Sequence, residues 1–203
     1  MIGFSQDTAK IGNIELVPAG TLARAVITFE KDGLSKPNPE KGAAGGGHYK
    51  ECKITISEGP FSRRVMFHFL SNPEDPKNSD KAKEMGLGAL VRMLEATGVF
   101  DPSNPASYRG MTFDQACQAI AQAQSMGRTI AVEVGISKGT GGYSDKNVVR
   151  TFLSPNPKSD SAVKWKKLAS GQTGGAPATP SAPATGFLAA PPAQPAAQAQ
   201  GFG

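Results

Sequence analysis

Tyr49 stands four residues before Lys53, Tyr143 lies between Lys138 and Lys146, and Phe152 follows Arg150 by two. Lys41, Arg64 and Trp165, the last inside the basic run KWKK, add to the same mixture. A ring offers a flat face on which another flat π-system can stack, and a neighbouring lysine or arginine offers charge to an anionic oxygen. The stretch ISKGTGGYSDKNVVRTF, residues 136–152, concentrates this pattern. β-Branched runs enter and leave it, and between them lie three glycines, two lysines, one tyrosine and one aspartate. A tight hairpin needs only about two loop residues. A longer basic tip is either slack or a place where something binds.

Other chemistries find little support. GTGGYS lacks the Gly-Lys-Ser/Thr ending of a phosphate-binding P-loop. His48 and His68 are the only histidines, and with Cys52 and Cys117 they form no zinc-ligand spacing. No Gly-x-Ser-x-Gly elbow is present. Glu51, Glu133 and Asp145 could contribute to a metal nuclease, but no paired-carboxylate motif supports it. The expectation is a protein that is not an enzyme, with no catalytic residues, no metal and no cofactor.

The chain of 203 residues carries a net charge of +5 and has a pI of about 9.2, a modestly basic balance that fits a nucleic-acid partner. The last charged residue is Lys167, and the sequence from Ser170 onward is Ala, Pro, Gly and Gln with few large apolar residues. Such composition reads as a flexible tail. The division expected is a domain over 1–168 and a tail over 169–203, with all the charge in the former. Cys52 and Cys117 read as two buried thiols, with a disulfide as the other possibility. No apolar h-region opens the chain and no run reaches membrane-spanning length, so a cytosolic protein is expected.

The elements that must position the aromatic and basic residues follow from periodicity and turn signals. Strands are expected over 21–30, 48–57, 63–70, 128–137 and 147–154. Helices are expected over 80–97, with Gly98 beyond its end, and over 111–127, where Thr112 and Gln115 have capping-box spacing. Long loops at 31–47 and 138–146 join strands one to two and four to five. Five strands with helix between the third and fourth is the element order of a five-stranded OB-fold barrel. That fold binds oligonucleotides on strands two and three and on these two loops. The fold expected is thus an all-β core with helices.

Alternation along strands sorts the side chains. In strand two, Cys52, Ile54 and Ile56 face the core, and Tyr49, Glu51, Lys53 and Thr55 face away. In strand three, Val65, Phe67 and Phe69 are assigned inward, with Arg64, Met66 and His68 outward. In strand five, Val148, Arg150 and Phe152 are assigned outward. The expected nucleic-acid-binding set is Lys41, Tyr49, Lys53, Arg64, Lys138, Tyr143, Lys146, Arg150, Phe152 and Trp165. Two readings stand for Tyr49 and Phe152, which could instead form a secondary core. Two also stand for Trp165, which either docks a last helix with Leu168 or extends the basic track.

The stretches HYKECKITISEGPFSRRVMFHFL (48–70), ATGVFD (96–101) and GISKGTGGYSDKNVVRTFLSP (135–155) resemble a family of bacteriophage and prophage OB-fold single-stranded DNA-binding proteins. The shared features are the tyrosine strand at Tyr49, the turn Glu58-Gly59 with Arg63-Arg64, and Lys146-Asn147 with Val149 before the last strand. The resemblance covers about 20–157. It implies a protein in the cytoplasm of a bacterial host that coats and protects single-stranded DNA during phage replication, recombination or repair. One departure concerns the tail, which lacks the acidic tip of many such proteins. Phe187, Leu188 and Phe202 are then its candidate contacts for replication or recombination proteins. The competing reading is a protein-interaction or accessory virion module that uses the barrel as a scaffold.

Overall fold

The computed structural model describes residues 15–37, 45–140 and 142–172. Lys41 and the stretch 173–203, with Phe187, Leu188 and Phe202, lie outside the described residues. Five strands form: β1 (Leu22–Leu34), β2 (His48–Ile56), β3 (Val65–Ser71), β4 (Ile130–Ser137) and β5 (Lys146–Phe152). Helices α1 (Asp80–Ala96) and α2 (Phe113–Ser125) stand between β3 and β4, and α3 (Ala162–Ala169) follows β5.

Gly98 and the Thr112–Gln115 pair stand at helix ends as expected, and Ser79 is a cap not singled out from the sequence. Ser79 caps α1 by accepting the Ala82 N–H. Beyond its far end Gly98 takes φ 67°, where a β-carbon would be strained. Both bonds of the Thr112–Gln115 capping box are made at α2. Ala25, Ile27, Cys52, Ile54, Ile56, Val132 and Val134 line the inner side of the sheet and bury against Met93, Leu94, Cys117 and Ile120 of the helices. Cys52 and Cys117 are free buried thiols, and burial pushes each up to about 12. A second, smaller cluster joins Leu22, Ala131, Leu153 and Leu168, with the half-buried Trp165 against it. The docked-helix reading of Trp165 and Leu168 is thus the one that forms.

One buried acid ties distant segments. Glu95 of α1 accepts hydrogen bonds from the Tyr108 and Ser154 hydroxyls and, at 2.8 Å, from the Asn156 amide. Three donors hold the carboxylate where water would otherwise be needed.

The expected OB-fold barrel is not what forms. The strands make an antiparallel sheet in the order β3-β2-β1-β4-β5, with β3 and β5 as its two edges. Laddered strands lie about 4.8 Å apart. Among the described residues no ladder joins β3 to β5, and their contact is made by side chains: the His68 and Phe152 rings meet edge to face at 5.2 Å. The sheet is therefore open along this seam, and the OB-fold assignment is withdrawn.

Candidate nucleic-acid interface

The β2–β3 ladder pairs Thr55 with Val65, Lys53 with Phe67, Glu51 with Phe69 and Tyr49 with Ser71. Partners directly opposite in a ladder share a face. Ile54 pairs with the buried Met66, so Met66 points inward and Phe67 and Phe69 point outward. Phe67 is 55% exposed and Phe69 59% exposed. This reverses the assignment of Val65, Phe67 and Phe69 to the core and of Met66 to the outside. His68, assigned outward too, is half-buried against Phe152, and burial lowers its pKa. RRVMFHFL carries large apolar residues on both parities, so alternation alone does not orient it. The register of the β2–β3 turn does.

The outer face is therefore richer in rings than the sequence indicates. The Tyr49 and Phe69 rings meet edge to face at 5.0 Å. Lys53 stands opposite Phe67 with its side chain half-buried. Beside this face a cleft of about 1030 Å³ opens along the seam, lined by Arg63, Arg64, Phe67, Phe69, Lys146 and Val148 among others. Among the described residues none of Lys53, Arg63, Arg64 and Lys146 is ion-paired. Arg63 holds its place at some cost. It is the only non-glycine with positive φ among the described residues, at 68°, in the turn that leads into β3. Its N–H donates to the Ile56 carbonyl at 2.8 Å. A left-handed side-chain-bearing residue costs about 1–2 kcal/mol.

The β4–β5 loop stands at the same end of the cleft. Lys138 contacts Asp145 at 2.7 Å, and the Gly139 N–H donates to the same carboxylate at 3.0 Å. The Lys138 ammonium and this N–H hold the Asp145 carboxyl below its ordinary value. A β-carbon on Gly139 would lie 1.8 Å from the Tyr143 carbonyl oxygen, so only glycine allows the loop to fold back here. Tyr143 is 83% exposed at the tip. The basic tip is thus internally tied, with its ring free to meet a ligand.

The structure brings Tyr49, Lys53, Arg64 and Lys146 together around Phe67 and Phe69, and sets Lys138 and Tyr143 beside them. It separates the other predicted residues. Phe152 is 3% exposed and lies in the core. Its parity is changed by a bulge: Glu133 pairs with Thr151, and the adjacent Val134 pairs with Val149. Arg150 is the extra residue, so Val149 and Phe152 both turn inward while Arg150 is displaced to solvent. The Arg150 guanidinium lies 3.7 Å from the buried Glu133, which Lys164 already contacts at 2.6 Å. Trp165 lies under the Arg24 guanidinium at 5.7 Å, and this places it on α3, away from the cleft lining. Among the described residues no group of three His, Cys, Asp or Glu could hold a metal ion. No described helix is long and apolar enough to cross a membrane.

Compared with known proteins, the chain matches no family model and no curated protein.

Proposed function

We propose that this protein binds single-stranded DNA largely without sequence preference, and coats and protects it during phage DNA replication, recombination or repair. One observation carries the reading: Phe67 and Phe69 stand exposed beside a cleft whose Arg63, Arg64 and Lys146 have no acidic partner among the described residues. Large apolar rings are rarely left on a surface in company without a use. Bases stack on rings whatever their identity, and phosphates meet the cations, so the arrangement suits a single strand of any sequence. Duplex recognition would call for a helix or ribbon presented to a groove, with side chains aimed at base edges. The cleft between β3 and β5 is instead lined by strand, turn and loop residues, Phe67 and Phe69 among them.

The test is a titration of fluorescent oligonucleotides, single-stranded and duplex, at two salt concentrations. Single strands bind more tightly, and affinity falls with salt by about 0.7 logarithmic units per phosphate contact and decade of salt. Equal affinity for both forms would remove the stacking argument. No binding to either would favour the interaction-module reading.

A further inference from the structure

The seam between β3 and β5 does not end with the large cleft. Beyond the point where His68 meets Phe152 lies a second hollow of about 220 Å³, walled by Phe69, Met85, Arg92 and Arg150. Phe69 lines both hollows. The two are successive stations along one seam, joined at an exposed ring.

The second hollow repeats the chemistry of the first. Met85 of α1 is 65% exposed, although an apolar side chain on a helix ordinarily seeks the core. Its thioether is a soft surface against which an aromatic system packs. The charge balance is positive. Arg150 and Lys164 share the single Glu133 carboxylate, with Lys164 the nearer, so Arg150 is only loosely compensated. Arg92 is half-buried and contacts Asp160 at 3.0 Å. The bulge that places Arg150 here also turns Phe152 inward, so one backbone irregularity both closes the core and supplies the cation.

We infer that this hollow is a second subsite for the same nucleic-acid strand. The strand passes from Arg63, Arg64 and Lys146 over Phe69, sets a base against Met85 and a phosphate against Arg150. The inference rests on the proposed single-strand binding and adds the path and length of the bound segment. It also gives Arg150 a role away from the main cleft.

The experiment compares two oligothymidylates by fluorescence anisotropy: one of about 4 nucleotides, which fills the first cleft, and one of about 12, which reaches the second. Arg150→Gln removes the cation, and Met85→Glu places a negative charge, repelling a phosphate, in the hollow from an exposed helix position where the fold does not depend on it. For each variant the longer oligonucleotide is expected to lose about tenfold in affinity, while the shorter stays within about twofold. The salt dependence for the longer one should weaken by about 0.7 with Arg150→Gln. Equal effects on both lengths, or none on either, would overturn the second subsite and leave single-strand binding standing. A wild-type protein that binds neither oligonucleotide would overturn both.

Discussion

Phe67 and Phe152 are the same residue type in opposite situations, and truncating each separates stability from binding. Phe152 is 3% exposed and packs against His68 in the core. Phe152→Ala should lose about 3–5 kcal/mol, the transfer term plus the cavity left behind. In a domain of this size about 1 kcal/mol moves the melting temperature by about 2–4 °C, so a fall of about 10 °C is expected. Phe67 is already 55% exposed. Fully burying a phenylalanine is worth about 1.5–3 kcal/mol, so less than half of that, about 1 kcal/mol, is at stake in Phe67→Ala. Its effect on binding runs the other way. Loss of one stacked base costs about 1–3 kcal/mol, or about 5- to 150-fold in affinity for a single strand. Thermal unfolding and oligonucleotide anisotropy on both variants give four numbers. The reasoning fails if Phe67→Ala lowers the melting temperature as far as Phe152→Ala and leaves affinity per folded molecule unchanged.

Arg63→Gly relieves a left-handed side-chain-bearing residue and should raise stability by about 1 kcal/mol in denaturant titration while weakening binding and its salt dependence. Asp145→Asn removes an anion from the cleft and releases Lys138, so single-strand affinity should rise, most clearly at low salt. Glu95→Ala leaves the Tyr108, Ser154 and Asn156 donors without their acceptor and should destabilise by about 3 kcal/mol with no loss of affinity per folded molecule. Burial raises Cys52 and Cys117 from 9.0 to about 12, and burial with the Glu95 hydrogen bond raises Tyr108 from 10.0 to about 12. The unfolded chain releases these protons first, so stability is full below about pH 9 and falls as pH rises toward 12, as unfolding midpoints across that range will register.

The number and order of elements could be read from the sequence because periodicity and capping are local. Gly98 and the Thr112–Gln115 pair mark helix ends by chemistry within a few residues of them. The outer face of β2 was legible for the same reason, since Cys52, Ile54 and Ile56 leave no doubt which side is buried. Tyr49 and Lys53 followed from it. The β3 face was not, because Val65, Phe67 and Phe69 compete with Met66 and Leu70 for the core, and only the ladder register decides between them. Phe152 was misplaced by a bulge two strands wide, and a bulge has no signature in a β-branched run such as NVVRTF. Whether β3 and β5 would join depended on groups about eighty residues apart, beyond the reach of any local pattern.

The sheet order also bears on how the chain folds. β1, β2 and β3 are successive neighbours, and the partners in their ladders are close in sequence. The β4–β5 hairpin is laddered to them through the short β1–β4 pairing alone, from Leu22 opposite Glu133 to Ala25 opposite Ile130. Closing a loop of more than a hundred residues carries a larger entropic penalty than zipping adjacent strands, and contacts of such separation form late. The meander of β1–β3 is therefore expected to assemble early, with Phe67 and Phe69 already displayed before the far hairpin docks. During synthesis that hairpin emerges after α1 and α2, so the nascent chain would spend time as a three-stranded sheet with two helices for its inner face and an open edge at β1. A single strand bound at that stage would act on an incomplete protein, and the order of translation and binding becomes a kinetic question as well as a structural one.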